Sequence, residues 1–274
     1  MINTVYLRFP NWKAKAVTLS YDDATKTDER LISIMQKYGL KGTFNVNSGL
    51  YSCDANRLSE EQSYKLYVDS GMEVAAHGYK HVSADVLPDM ELIKEFATDK
   101  TNLEKQYNRI VRGFAYANGI FNDRAVNVLK ECGFAYARTV VPTNDFSLPT
   151  DWLRWNPTCH HTAQNFKDLA DWFFNSNPDK AYKKHPMLFY LWGHSIEFDN
   201  FSNWHLIEDF AKSVSEDEGV WNATNIEVCD YVKAYYSLTY SANCDKVLNN
   251  SAIDVYLLIN GEKVLAKAGQ TTEI

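Results

Sequence analysis

Apolar and polar positions along this 274-residue chain follow two alternating rhythms. Short, nearly unbroken apolar runs at 16–20, 42–47, 73–76, 111–116, 134–138, 187–192 and 219–223 read as strands. Between them the apolar spacing changes to three and four. Leu31, Ile34, Met35 and Tyr38 share one face of a helix predicted over 27–38, stopped by Gly39. Ser59-Glu60-Glu61-Gln62 has the pattern of a capping box and opens a helix to about residue 70, ahead of Gly71. Further helices are predicted from 88 to about 107, from 123 to Cys132-Gly133, and over 166–174, 204–214 and 225–236.

Seven strands alternating with helices predict an α/β fold with a parallel sheet. The tail differs. Val255-Tyr256-Leu257-Leu258-Ile259, then Asn260-Gly261, then Glu262-Lys263-Val264-Leu265 predict a β-hairpin with a type I′ turn. A two-stranded ribbon is marginal alone, so it should pack on the body or recruit further strands. The expected division is an α/β body over 1–238 and a small β extension over 239–274.

Three of the strand-like runs end in ionisable groups. The first ends Ser20-Tyr21-Asp22-Asp23, the third runs into His77-Gly78-Tyr79-Lys80-His81, and the sixth ends Trp192-Gly193-His194. Two adjacent carboxylates repel and need solvation or partners, so folding alone gives no reason for them. In a closed barrel the C-terminal ends of parallel strands converge on one mouth. An open sheet gathers the ends of strands one, three and six less readily. A barrel is therefore expected.

His77 and His81, four apart, share a face on a helical turn and can offer ring nitrogens to one ion. With Asp23 they form a set of one carboxylate and two imidazoles, which leaves open positions on a divalent cation, as catalysis needs. Asp22 is then the base, pointing away from Asp23 if the strand geometry persists through both. The competing reading of Asp23 is a helix cap near Thr25 or Thr27. His194 can be a third ligand, a core histidine or a general acid; with three ligands already supplied, the acid is the useful role. His160 and His161, adjacent in a loop near Pro157, cannot easily share an ion and read as groove or surface residues. Trp152, Trp155 and Trp192 are candidate sugar platforms, with core packing the competing account, strongest for Trp152.

Composition narrows the partners. The net charge is −7 with acids and bases mixed, and no basic block suggests nucleic acid. No apolar run reaches about 18 residues, so no membrane span is expected. Met1-Ile2-Asn3-Thr4 lacks the basic and apolar regions of a leader, which suggests a cytoplasmic chain, or an extracellular one if a leader has been removed. The five cysteines form no C-x-x-C pair and read as reduced. The oligomeric state is not legible.

Taken together, Ser20-Tyr21-Asp22-Asp23-Ala24, His77-Gly78-Tyr79-Lys80-His81 and the run to His194 resemble motifs one, two and five of the polysaccharide deacetylases, the family-four carbohydrate esterases. The resemblance covers roughly 12–236. It implies a distorted (β/α)7 barrel and a metal-dependent hydrolase that removes acetyl groups from the nitrogen or oxygen of an acetylated carbohydrate. It also implies Asp22 as base, Asp23, His77 and His81 as ligands of a divalent metal (zinc foremost, cobalt or nickel as alternatives), and His194 as acid.

The third motif departs. Phe114-Ala115-Tyr116-Ala117-Asn118-Gly119 has Ala115 where the family's arginine pairs with the base, and Asn118 where it has an aromatic residue. Asp22 should then be unusually basic unless Arg112, Arg138 or Arg154 reaches it. Asp151-Trp152 has the letters of motif four in a different context. Tyr116, Asn118, Trp155 and Trp192 are the candidate substrate contacts, and a backbone N–H of the loop after the second strand or of the Tyr116 region is the candidate donor to the oxyanion. An amide hydrolase acting on a small non-sugar substrate and a carbohydrate-binding protein without catalysis are the competing functions.

Overall fold

A computed structural model of the protein describes residues 4–274; Met1, Ile2 and Asn3, on which the leader expectation partly rests, lie outside the described residues. The chain opens with β1 (Val5–Arg8) and then lays down β2 (Lys15–Asp22), α1 (Asp28–Lys37), β3 (Thr43–Val46), α2 (Glu60–Asp69) and β4 (Glu73–Ala76). It continues through α3 (Asp89–Tyr107), β5 (Gly113–Ala115), α4 (Asp123–Glu131), β6 (Tyr136–Arg138), β7 (Cys159–His160) and α5 (Phe166–Asn175). The body ends with β8 (Met187–Gly193), α6 (Ile196–Asn200), α7 (His205–Glu216), β9 (Val220–Asn222) and α8 (Asn225–Tyr236). Last come β10 (Thr239–Tyr240), β11 (Lys246–Leu248), β12 (Val255–Ile259), β13 (Glu262–Ala266) and β14 (Thr271–Glu273).

The seven runs read as strands all become strands. Together with one further strand, β7, they form one curled eight-stranded parallel sheet in the order β6-β5-β4-β3-β2-β8-β7, with β9 beside the start of β2. β2 is central and buried along all eight residues, as an unbroken apolar run requires when helices cover one face and the barrel interior the other. β7 was not expected; two residues carry too little periodicity to read. It matters for closure. Trp155 forms a parallel bridge with Arg138 of β6, and the chain then runs into β7, which pairs with β8. The two edges of the sheet are thus linked, giving the distorted barrel expected from the motifs.

The helix boundaries follow the sequence signals. Ser59 and Gln62 form the reciprocal capping box of α2, and Thr224 and Glu227 form another at α8. One apolar core lies between sheet and helices, with Leu19, Phe44, Leu31, Phe96 and Phe189 among its members. A second joins Trp155 and Tyr190 to Val228 and Val232 of α8 and to Leu257 of the tail.

β12 and β13 form the expected hairpin, and Asn260 (φ 52°) and Gly261 (φ 94°) supply the two positive φ angles of a type I′ turn. The ribbon is not left alone. β12 also pairs antiparallel with β1, while β10, β11 and β14 make a second small sheet. The Tyr231 hydroxyl of α8 donates to the Arg8 carbonyl at 2.6 Å and accepts from the Tyr256 N–H at 3.0 Å, tying both ends of the chain to the body. Among the described residues no helix is long and apolar enough to cross a membrane.

Candidate functional site

β2 ends at Asp22, and the chain then turns through two left-handed residues, Asp23 (φ 85°) and Ala24 (φ 49°). Such angles cost non-glycine residues of order 1–3 kcal/mol each and persist only where the surroundings impose them. Here the Asp23 N–H donates to the Asn45 carbonyl of β3, the Arg57 guanidinium holds the Asp23 carbonyl, and the Leu58 N–H donates to the Ala24 carbonyl. The turn brings Asp23 within reach of both histidines of the second motif.

Those histidines do not lie on a helical turn. The segment after β4 is a loop, with Gly78 at φ 83° and His81 at φ 57°. Two carboxylates one turn apart on α3 hold it. Asp99 accepts the His77 N–H at 2.9 Å and the Ser48 N–H at 2.7 Å; Glu95 accepts the Lys80 N–H at 2.8 Å. A side chain at position 78 would press on Glu95 Oε1 at 2.9 Å. Asp23 Oδ1 lies 3.9 Å from both His77 Nε2 and His81 Nε2, and the ligand atoms of all three residues fall within 4.8 Å of one another.

The donors fit a divalent metal. His77 Nδ1 lies 2.8 Å from the Ala115 carbonyl, which fixes the proton on Nδ1 and leaves the Nε2 lone pair facing Asp23. His77 Nε2 is buried with no hydrogen-bond partner, and Asp23 Oδ1, buried and also without a hydrogen bond, lies 3.2 Å from Arg57 Nη2. Burial pushes the His77 imidazolium pKa down despite Asp22 and Asp23 nearby, so the ring is held neutral, as a ligand must be.

Asp22 is not left without a cation. Arg138 of β6, wholly buried, donates through Nη2 to Asp22 Oδ2, while Asn45 Nδ2 donates to Oδ1 at 2.7 Å. Burial would raise the Asp22 pKa, but Arg138, His77, His194 and the Asn45 hydrogen bond outweigh it and bring it to about 2. In the sheet register Arg138 is the partner of Ala115, so the cation absent from the third motif is supplied one strand over. Arg112 instead pairs with Asp230, and Arg154 with Asp151 and Asp123.

His194 follows β8. Its Nε2 lies 3.9 Å from Asp22 Oδ2 and from Asp23 Oδ2, and its Nδ1 lies 3.3 Å from Glu197 Oε2. Burial disfavours its imidazolium, yet Glu197, Asp22 and Asp23 raise its pKa overall. The next residue, Ser195, is anchored by Asp28 of α1 and by Thr25 and Thr27.

Several expected contacts fall elsewhere. Trp155 is 1% exposed and packs against Trp152, Tyr136 and Tyr190, so its ring faces the core and no sugar. Tyr116 is equally buried; its hydroxyl donates to the Leu153 carbonyl at 2.9 Å and its N–H to the Arg138 carbonyl at 3.1 Å, which removes it as an oxyanion donor. Trp192 does reach the site, but the Arg138 guanidinium lies 4.2 Å over its ring. Asn118 is exposed, at φ 57°, with its amide on Ser83. Asp151 caps Leu153 and pairs with Arg154, away from the carboxylates of β2. His160 and His161, read as groove or surface residues, both turn to Glu197, each Nε2 at 3.2 Å. Glu197 itself escaped the sequence reading. Its signal was the i+3 spacing from His194, which has meaning only once α6 is known to start there.

These side chains meet at the C-terminal rim of a parallel barrel. Residues 10–137 match the family model for polysaccharide deacetylase, so the resemblance drawn from the motifs holds over the stretch carrying Asp22, Asp23, His77 and His81. No curated protein matches the sequence. Among solved structures, a polysaccharide deacetylase-type protein from Mycobacterium smegmatis superposes with TM-score 0.61 at 16% identity, covering 84% of this chain and 94% of that one. A family-four carbohydrate esterase from Streptomyces lividans in complex with acetate gives TM-score 0.51 at 15% identity over 77% and 93% of the two chains. A family-four pseudoenzyme from Bacillus anthracis gives 0.52 at 18% over 82% and 68%. The chain covers 61% of the length of the deacetylase PplD from Streptococcus pyogenes. All these identities are below 25%, so the likenesses establish the fold.

Proposed function

We propose that the protein is a metal-dependent hydrolase that removes acetyl groups from a carbohydrate. The observation that carries this reading is the meeting of Asp23, His77 and His81, with the buried Nε2 of His77 left without a hydrogen bond, beside an ionised Asp22 and a protonatable His194. Asp23, His77 and His81 would hold the ion, zinc being favoured by the mixed nitrogen and oxygen set, with cobalt or nickel as alternatives. When bound, such an ion polarises an acetyl carbonyl and lowers the pKa of nearby water to about 7.

The chain's own residues do the rest. Asp22, kept ionised by Arg138 and oriented by Asn45, takes the proton of the attacking water. His194, with its raised pKa, gives a proton to the departing amine or alkoxide through Nε2, while Glu197 holds its other face. Trp192 supports Arg138 from below, and Asn118, at the rim, is the exposed candidate for contact with substrate. We divide the chain at 238/239 into the catalytic body and a small β extension, which β1 completes from the other end of the sequence.

The test is acetate release from a panel of acetylated glycans, with and without chelator, alongside elemental analysis of the purified protein. Activity that chelator abolishes and metal restores is expected. An Asp22→Asn protein with full activity on a responsive substrate overturns the role of Asp22. The pseudoenzyme that shares the fold keeps a non-catalytic sugar-binding reading in play; the complete set of Asp22, Asp23, His77, His81 and His194 argues against it.

A further inference from the structure

Behind His194, on the side away from Asp23, lies a second group of metal-ligating side chains, of which the reaction above uses only Glu197, to hold His194. His160 Nε2 and His161 Nε2 each lie 3.2 Å from Glu197 Oε2, and His194 Nδ1 lies 3.3 Å from the same atom. The His194 N–H also donates to it, at 3.0 Å. One carboxylate oxygen has two lone pairs, fewer than the backbone N–H and three ring nitrogens gathered on it. Charge-assisted hydrogen bonds are also shorter, about 2.7–2.9 Å. Around a tetrahedral ion with bonds of about 2.0–2.1 Å, neighbouring ligand atoms are roughly 3.3 Å apart. The three separations from Glu197 Oε2 match that edge length, and the ligand atoms of His160, His161 and Glu197 all lie within 4.8 Å of one another.

His161 is the second, independent sign. It is 1% exposed, and neither of its ring nitrogens has a hydrogen-bond partner. Its ring is clamped between Tyr21 (centroids 5.7 Å apart, planes at 22°) and Phe198 (4.1 Å, 25°). A side chain at position 193 would collide with it, so Gly193 makes the slot. An imidazole is thus buried and oriented, with Nδ1 unpartnered and Nε2 3.2 Å from Glu197 Oε2 without the geometry of a hydrogen bond. His160 is positioned too: its Nδ1 lies 2.7 Å from the Thr162 hydroxyl and 3.2 Å from the Thr162 N–H, with Nε2 directed at Glu197.

We propose that His160, His161 and Glu197 form a second divalent-cation site, with His194 Nδ1 at its edge. Two imidazoles and one carboxylate select a borderline transition metal such as zinc over calcium or magnesium, which prefer oxygen. His194 then stands between two ions, presenting Nδ1 to one and Nε2 to the other group. The inference stands on its own geometry and does not need the deacetylase reading.

The experiment is equilibrium dialysis of the chelator-stripped full chain against zinc chloride, with zinc per chain measured by elemental analysis and folding checked by thermal melting. Because buried His161 is a risk to folding, the variants are at half-buried positions, His160→Ala and Glu197→Gln. Two ions per chain are expected, falling to one in each of these variants, to one in His81→Ala, and to none in His160→Ala with His81→Ala. A wild-type count of one that survives Glu197→Gln and His160→Ala but not His81→Ala overturns the second site. A count of two unchanged by Glu197→Gln and His160→Ala overturns it as well, and so does a count of none. A count of one that survives His81→Ala and is lost in Glu197→Gln supports the second site and instead overturns the metal role given to Asp23, His77 and His81.

Discussion

The two donor groups on either side of His194 are built in opposite ways. Around Asp22 and Asp23 two carboxylates are balanced by cations as well as imidazoles: Arg138 on Asp22 and Arg57 on Asp23. Around Glu197 three imidazoles share one carboxylate. In the first group the backbone carries strain, at Asp23, Ala24 and His81. In the second the His161 ring is wedged between Tyr21 and Phe198, and Gly193 provides the space. The difference teaches that the first group is tuned in charge and the second in shape. The first holds a carboxylate ionised; the second fixes where an imidazole points.

The largest effect expected from breaking this arrangement is on the first group. Asp22→Asn removes the proton acceptor and should lower the rate of acetate release by about 10²–10⁴-fold while leaving metal content unchanged. His194→Ala should cost a similar factor, least for substrates whose leaving group needs no proton. Next is Arg138→Met. It leaves Asp22 buried and uncompensated, with an expected stability loss of about 3–5 kcal/mol by urea unfolding and an Asp22 pKa moved upward. If Arg138→Met is stable and active, the cross-strand replacement of the third-motif arginine is not needed.

A smaller effect sharpens the comparison at the hinge between the groups. Asp28, which anchors Ser195, has its pKa raised by burial to about 7 from 3.8. Between those values the folded chain holds a proton that the unfolded chain has lost. Its contribution is therefore full below about pH 4 and disappears as pH rises through 7. Asp99, also raised to about 7 by burial, adds to the same slope. Asp22 acts oppositely: its depressed pKa stabilises the fold above its ordinary value and that contribution is lost as pH falls toward 2. Asp28→Asn should flatten part of the fall in urea midpoint between pH 4 and 7, because hydroxyl partners can reorient to serve an amide. An unchanged slope would show that Asp28 is ionised in the folded chain.

Sequence alone determined the strand and helix alternation, the hairpin at Asn260-Gly261 and the carboxylate and histidine pairs at strand ends. Each is a local property: apolar period, turn chemistry, or an unexplained cluster of charge within a few residues. It did not determine which arginine serves Asp22, because that depends on register between β5 and β6, where Arg138 faces Ala115. It misplaced Tyr116 and Trp155, whose rings are amphipathic and fit a core or a groove equally well until packing assigns them. It misjudged His160 and His161, since neighbours in sequence converge only when Glu197, some 36 residues on, arrives between them. Residues distant along the chain meet at the rim because parallel strands all end there, and that convergence belongs to the closed sheet and to no segment of the sequence.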